Sequence, residues 1–294
     1  MLEPARPGPR PLFRLRRRRV RTVAILPTLI TLGNAVCGFM AITYIAKGMG
    51  LKAAFPAAAG AEFEKAAYLI LVAMIFDALD GRVARMTRTA SSFGTQLDSL
   101  CDFLTFGTVP AFLTYGLCWE SSSFPPLVVL GVCVIYVCFA ATRLARFNVE
   151  TGTDERHHRE FTGLPSPAAA GVIASTIIPW AAIEGKWALA ETLNKILQAG
   201  LPVTVFLLAV LMVSRIPYPH LVNKLLRGPR PFVTFVELAV VALLAVIFHE
   251  FALFLGFMGY AIIGPALWIR GRVLRRPVPG PGGAPEPPTE DSLF

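Results

Sequence analysis

Apolar residues form eight separate stretches along the chain, and polar residues are concentrated in the connections between them. A membrane-spanning helix needs about 20 mostly apolar residues, and most of the stretches approach or exceed that length. They cover residues 23–46, 66–81, 94–117, 125–147, 167–184, 199–214, 231–248 and 250–269. This pattern predicts an all-α fold, a polytopic transmembrane helical bundle of about eight spans.

The connections between these stretches alternate in charge. Arginine and lysine are concentrated in the connections at 82–88, 143–159, 215–230 and 270–276, whereas the opposite connections carry fewer basic residues. Basic connections generally remain on the cytoplasmic side of a membrane. We therefore expect an integral protein of the cell (inner) membrane, with both termini in the cytoplasm.

Composition agrees with a membrane protein. The chain has 294 residues, of which 54% are hydrophobic, and a net charge of +9. The arginine run at residues 14–21 precedes the first apolar stretch, where such a run usually holds a terminus in the cytoplasm and contacts anionic lipid. No nucleic-acid partner is expected. The five cysteines contain no CxxC pair, and we interpret them as small buried hydrophobic residues.

A motif of charged and small residues interrupts the apolar pattern between the second and third stretches. Its spacing is D-x2-D-G-x2-A-R-x8-G-x3-D-x3-D. Carboxylates at membrane depth are costly and usually functional. The fixed positions are Asp77, Asp80, Gly81, Ala84, Arg85, Gly94, Asp98 and Asp102.

The aspartate spacing predicts a helical hairpin. Asp77 and Asp80 are three residues apart, and Asp98 and Asp102 are four apart, so each pair shares one helical face. Residues 86–93 are numerous enough to turn the chain, which brings both pairs together near the cytoplasmic ends of the helices. Four carboxylates suit Mg²⁺, Mn²⁺ or Ca²⁺ and can hold two ions.

Three functions fit this chemistry. The first is metal-dependent phosphoryl transfer, in which the small Gly81, Ala84 and Gly94 leave room for a ligand and Arg85 binds phosphate. The second is an ion-coupled transporter, because intramembrane acids also line ion paths. The third is a structural network of buried ion pairs. The residues alone leave all three open.

The motif resembles the signature of the CDP-alcohol phosphatidyltransferases at all eight fixed positions. The resemblance implies displacement of CMP from a CDP-linked lipid by an alcohol, with two divalent metals, Mg²⁺ or Mn²⁺. It implies that Asp77, Asp80, Asp98 and Asp102 bind metal, and that Asp98 and Asp102 are catalytic, Asp102 as the base for the alcohol proton. Gly81, Ala84, Arg85 and Gly94 would line the CDP moiety, and a homodimer is the implied assembly.

Three further stretches resemble the phosphatidylserine synthase branch of this family. They are Leu26–Asn34 followed by Cys37–Phe39, then Arg143–Asn148, and Phe161–Gly171. The implied substrates are CDP-diacylglycerol and L-serine. One departure is Thr28, where that branch often has asparagine.

Arg143 and Arg146 lie three residues apart at the end of the fourth apolar stretch. They suit the serine carboxylate or the lipid diphosphate, although cytoplasmic anchoring explains them equally well. Other acceptors remain open, namely glycerol 3-phosphate, inositol phosphate and choline.

The expected organisation has four parts. Residues 1–22 form a basic cytoplasmic segment, and residues 23–215 form a catalytic core of six spans. Residues 216–272 add two transmembrane helices, and residues 273–294 form a disordered proline-rich tail.

Overall fold

The fold is helical throughout the part of the chain that the computed structural model describes. That part comprises residues 25–87, 92–120, 123–151, 163–183, 190–216, 218 and 249–274, and it contains no strand. The all-α prediction is therefore confirmed for these residues. The elements are α1 (Ile25–Leu51), α2 (Pro56–Thr87), α3 (Ser92–Asp102), a π-helical segment (Phe103–Thr108), α4 (Val109–Cys118), α5 (Pro126–Thr151), α6 (Ser166–Ile183), α7 (Ala190–Val213) and α8 (His249–Leu274).

Five of the described helices are long and apolar enough to cross a membrane. They are α1, the continuous rod from α3 through α4, and then α5, α7 and α8. Helix α2 is also long, but charged residues flank its apolar stretch, and the apolar part of α6 is shorter, Ser166–Ala181. The predicted span at 231–248 lies outside the described residues, as do the predicted N-terminal segment and tail. The total of eight spans therefore stays a prediction.

The helices run between two ends of the bundle. At one end, Lys52 Nζ donates to the carbonyls of Gly116 and Leu117 at 3.2 and 2.6 Å, which joins the α1–α2 turn to the end of α4. At the other end, Arg146 Nη1 of α5 donates to the carbonyl of Val213, the last residue of α7. We call the first the far end and the second the site end, because the motif aspartates lie toward the second.

Helix α8 begins on the far-end side of the motif. His249 Nε2 lies 3.0 Å from the hydroxyl of Tyr68, which precedes Asp77 by about 13 Å of helix rise. Helix α7 ends at the site end, whereas α8 begins on the far-end side of the motif.

Small side chains allow α1 and α2 to lie close together over much of their length. Ala66, Ala67 and Ala73 of α2 are fully buried, as are Ala41 and Ile45 of α1. Lipid tails are as apolar as leucine, so helices in membranes associate mainly through close packing, which alanine permits. This pair therefore supplies a rigid support for the aspartates in the last third of α2.

A π-helical segment directly follows Asp102. Its carbonyl at Phe106 accepts a hydrogen bond of 3.1 Å from the buried hydroxyl of Tyr136 on α5. Pro110, four residues after Phe106, has no N–H and cannot supply the α-helical bond to that carbonyl. Irregular turns of this kind often occur at functional sites, and here the turn adjoins an aspartate of the motif.

A turn at Gly163–Pro165 leads into α6 and lies against the end of α7. Gly163 has a φ of +89°, and its N–H donates to the carbonyl of Ile216 at 2.9 Å. A Cβ at this position would lie 2.5 Å from the carbonyl oxygen of Met212. Only glycine fits both the dihedral angle and the space, so the turn fixes where Ser166 begins α6.

Candidate metal centre

Three of the four motif aspartates converge as the spacing predicts. Helix α2 ends at Thr87 and α3 begins at Ser92, so the two helices form the expected hairpin arms around residues 88–91, which lie outside the described part. One carboxylate oxygen each of Asp77, Asp98 and Asp102 lies within 4.8 Å of the others. The sequence prediction that both helices contribute carboxylates to one site is confirmed.

Asp80 adjoins this group but is not one of the three oxygens within 4.8 Å. Its side chain is only 4% exposed, and it interacts electrostatically with Asp98. Asp80 Oδ2 and Asp98 Oδ1 are buried and have no hydrogen-bond partner among the described residues. Unsatisfied buried carboxylate oxygens are costly, so each of these two atoms needs an electropositive partner.

A divalent cation fits these residues. Carboxylate oxygens are the ligands that Mg²⁺, Mn²⁺ and Ca²⁺ prefer. Within the described ranges, the ion pair between Lys65 and Glu62 lies elsewhere on α2, and no described basic side chain pairs with a motif aspartate. Among the described residues, a network of close ion pairs is therefore not observed at this site.

The other motif positions lie on the same two helices. Gly81 directly follows Asp80 in α2, and Gly94 lies in the first turn of α3, one turn before Asp98. The side chains of Ala84 and Arg85 lie outside the described part, although α2 includes both positions. The roles of these four residues at a CDP moiety stay predictions.

Arg143 of α5 lies within electrostatic range of the aspartate cluster. It is half-buried, interacts electrostatically with Asp102 and Asp77, and donates from Nη1 to the hydroxyl of Ser166 at 2.8 Å. Ser166 is fully buried at the start of α6. The bond to Ser166 therefore holds the guanidinium near the aspartates, and a guanidinium has five N–H donors in all.

Arg146 has a different environment from Arg143. Its Nη1 donates to the carbonyl of Val213 at 3.3 Å, at the C-terminus of α7, where a cation is favourable because helix carbonyls there lack partners. The two arginines, which the sequence does not distinguish, therefore differ in the structure: Arg143 interacts electrostatically with two of the carboxylates and donates to Ser166, whereas Arg146 joins α5 to α7.

Two side-chain contacts at the site were not predicted. Asn34 Nδ2 of α1 donates to Asp102 Oδ1 at 2.9 Å, and Asn148 Nδ2 donates to the hydroxyl of Ser99 at 2.9 Å. The only sign of these residues in the sequence was that they belong to the stretches that resemble the phosphatidylserine synthase branch. Each of those three stretches contributes to these contacts: Asn34 donates to Asp102, Asn148 donates to Ser99 beside Asp98 in sequence, and Ser166 accepts from Arg143.

Comparison with known proteins agrees with this geometry. A family model described as CDP-alcohol phosphatidyltransferase matches residues 24–214. The chain is 33% identical over 201 residues to a CDP-diacylglycerol–serine O-phosphatidyltransferase of Helicobacter pylori, covering 68% of this chain and 74% of the relative. It is 34% identical over 205 residues to a protein of the same name from Methanocaldococcus jannaschii, covering 69% and 84%.

A third relative differs in its lipid. An archaetidylserine synthase of Methanothermobacter thermautotrophicus is 32% identical over 205 residues, covering 69% of this chain and 73% of the relative. The matched region includes every motif residue and all the contacts at the carboxylates. On this evidence, the chain belongs to the CDP-alcohol phosphatidyltransferase family.

Proposed function

We propose that the protein transfers a phosphatidyl group from CDP-diacylglycerol to L-serine, giving phosphatidylserine and CMP. The observation that carries this proposal is the convergence of Asp77, Asp98 and Asp102 within 4.8 Å, together with serine transferases among the relatives. The four motif aspartates hold two divalent cations, Mg²⁺ or Mn²⁺. When bound, these ions neutralise and polarise the diphosphate of the lipid donor.

The protein's own residues then have distinct tasks. Asp102 takes the proton of the serine hydroxyl, whose oxygen forms a bond to the lipid-side phosphorus. The bond from that phosphorus to the oxygen of the CMP phosphate breaks, and CMP leaves. Asn34 Nδ2 donates to Oδ1 of Asp102, and the remaining lone pairs of this carboxylate can take the proton or bind a cation.

Arg143 binds the serine carboxylate in this proposal. Its position beside Asp102 and Asp77 would bring the acceptor close to the base, and a guanidinium matches a carboxylate in shape and charge. Ser166 holds the guanidinium through the 2.8 Å bond. Gly81, Ala84, Arg85 and Gly94 bind the CDP moiety, as the family resemblance implies.

The proposal includes an orientation in the membrane. Eight spans in the cell (inner) membrane, with both termini in the cytoplasm, would bring the aspartates near the cytoplasmic surface. The CDP-linked headgroup and serine are available on that side. Support comes from the basic connections in the sequence and from the alternating direction of the described helices. The proposal of a homodimer rests on the family resemblance alone. Light scattering of the purified protein tests it.

The decisive experiment measures CMP release by full-length protein purified in detergent. CDP-diacylglycerol is supplied with Mn²⁺, Mg²⁺ or EDTA, and with L-serine, glycerol 3-phosphate, inositol phosphate, choline or no acceptor. Release that requires both a divalent metal and serine is the expected result. Metal-dependent release with another alcohol would overturn the serine assignment, and no release with any acceptor would favour an ion-coupled transporter.

A parallel series with CDP-archaeol tests the lipid donor, because one relative is an archaetidylserine synthase.

A further inference from the structure

Asn34 is a fully buried amide on α1, outside the two helices that carry the aspartates. Its Nδ2 donates to Asp102 Oδ1 at 2.9 Å, across 68 residues of sequence. An ionised carboxylate only accepts hydrogen bonds, so the NH₂ group of the amide must face Asp102. This requirement fixes the orientation of the amide and directs its carbonyl oxygen away from Asp102 Oδ1.

That carbonyl oxygen is unsatisfied. Asn34 Oδ1 is buried and has no hydrogen-bond partner among the described residues, and the same holds for Asp80 Oδ2 and Asp98 Oδ1. All three atoms are hydrogen-bond acceptors without a donor. Each belongs to a motif aspartate or to Asn34, which contacts one of these aspartates. Buried acceptors without a donor call for an explanation, and a cation or the water it carries would supply the missing electropositive partner.

The backbone around Asn34 holds the amide in place. The hydroxyl of Thr105, in the π-helical segment, donates to the backbone carbonyl oxygen of Asn34 at 3.3 Å. One turn further along α1, a Cβ at Gly38 would lie 2.5 Å from Thr105 Oγ1, so the two segments are in close contact. Asn34 and Asp102 are thus fixed relative to each other by the elements that carry them.

We propose that Asn34 is a positioning residue of the metal centre: its Nδ2 orients Asp102, and its Oδ1 faces the bound cation or a water of that cation. The inference rests on the proposed function, because it requires a divalent cation at the aspartates. Amide oxygens are ordinary ligands for hard cations. Hydrogen bonds to metal ligands typically alter metal affinity about 10–100-fold.

The test measures Mn²⁺ binding to the full-length protein in detergent by electron paramagnetic resonance. Unfolding temperatures are recorded in parallel with EDTA and with Mn²⁺. The variants are Asn34→Leu, which keeps the approximate size of the side chain and removes both polar atoms, and Asn34→Asp, which keeps an oxygen and removes the donor. Cys37→Ala is the matched control, since Cys37 is buried one turn further along the same helix.

We expect Asn34→Leu to weaken Mn²⁺ binding about 10–100-fold and to lose most of the Mn²⁺-induced rise in unfolding temperature. Asn34→Asp is expected to bind Mn²⁺ at least as tightly as the unaltered protein, because it places a negative oxygen at the cation. Cys37→Ala is expected to bind as the unaltered protein does.

Two results would overturn the inference. If Asn34→Leu lowers the unfolding temperature in EDTA but binds Mn²⁺ with unchanged affinity, Asn34 only joins α1 to α3. If Asn34→Asp binds as weakly as Asn34→Leu, the carbonyl oxygen does not face the cation. Failure of the unaltered protein itself to bind Mn²⁺ is a different result, and it would overturn the metal-dependent function as a whole.

Discussion

At the scale of single residues, one carboxylate oxygen each of Asp77, Asp98 and Asp102 lies within 4.8 Å of the others, so a bound cation would relieve the repulsion between their charges. Asp98→Asn keeps the size of the side chain and removes one negative charge. We expect metal-dependent CMP release to fall at least about 1,000-fold, since several kcal/mol of charge stabilisation would be lost. The measurement is CMP release with CDP-diacylglycerol, serine and Mn²⁺.

The matched control for this prediction is Glu120→Gln. Glu120 is an exposed carboxylate in the turn after α4, at the far end of the bundle. It should keep full activity, and Asp98→Asn should still insert into the membrane and unfold at a similar temperature in EDTA. Full activity of Asp98→Asn would remove Asp98 from the metal centre.

Arg143 and Arg146 allow a second prediction at this scale. Arg143→Ala is expected to raise the KM for serine about 10–100-fold, as the loss of a charged hydrogen bond implies, with a smaller effect on the KM for CDP-diacylglycerol. Arg146→Ala is the control, because that side chain donates to the Val213 carbonyl. It should lower the unfolding temperature and leave the KM for serine unchanged. Equal changes in both KM values for Arg143→Ala would remove it from the acceptor site.

Local spacing explains which site residues the sequence could predict. Asp77 and Asp80, like Asp98 and Asp102, are related by helical periodicity, so sequence alone places each pair on one face. The bond from Asn34 to Asp102 joins residues 68 positions apart. It depends on how α1 lies against α3, and no local pattern encodes that arrangement. The difference between Arg143 and Arg146 likewise depends on contacts with α6 and α7.

At the scale of elements, the turn at Gly163 makes a prediction about stability. Gly163→Ala introduces a Cβ at a φ of +89° and 2.5 Å from the Met212 carbonyl oxygen, which should cost about 1–3 kcal/mol. The unfolding temperature in detergent should fall by about 5 °C. Activity should fall with it, because Ser166 is displaced from Arg143.

Gly200→Ala is the control for that substitution. Gly200 lies within α7, and a Cβ there would meet nothing within 4 Å. Alanine is a better helix former than glycine by up to about 1 kcal/mol, so this variant should be as stable as the unaltered protein or more so. A Gly163→Ala protein as stable as Gly200→Ala would contradict the steric argument.

The described helices follow the predicted apolar stretches well, and the differences have physical causes. Helix α2 extends beyond the predicted 66–81 in both directions, to Pro56–Thr87, because its polar ends are still good helix formers. The π-helical segment after Asp102 was not predicted. It involves the missing N–H of Pro110 and the hydroxyl of Tyr136 on a different helix, and only the first of these is visible in the local sequence.

At the scale of the whole molecule, the proposed orientation predicts which surfaces are accessible from each side of the membrane. In a cysteine-free variant, Ala54→Cys and Glu120→Cys should react with a membrane-impermeant maleimide added to intact cells. Both residues are exposed at the far end. Arg215→Cys, exposed at the site end, should react only in inside-out vesicles. The reverse pattern would put the aspartates on the outer side of the membrane.

The position of Asn34 and the aspartates along the chain has a consequence for biosynthesis. Every residue assigned here to the metal centre lies between Asn34 and Asp102, whereas Arg143, Ser166 and Val213 come later. Translation proceeds from the N-terminus, so a ribosome makes all the proposed cation ligands before it makes Arg143 and Ser166, the two residues assigned to the acceptor. The residues proposed to hold cations are therefore synthesised well before those proposed to bind the alcohol.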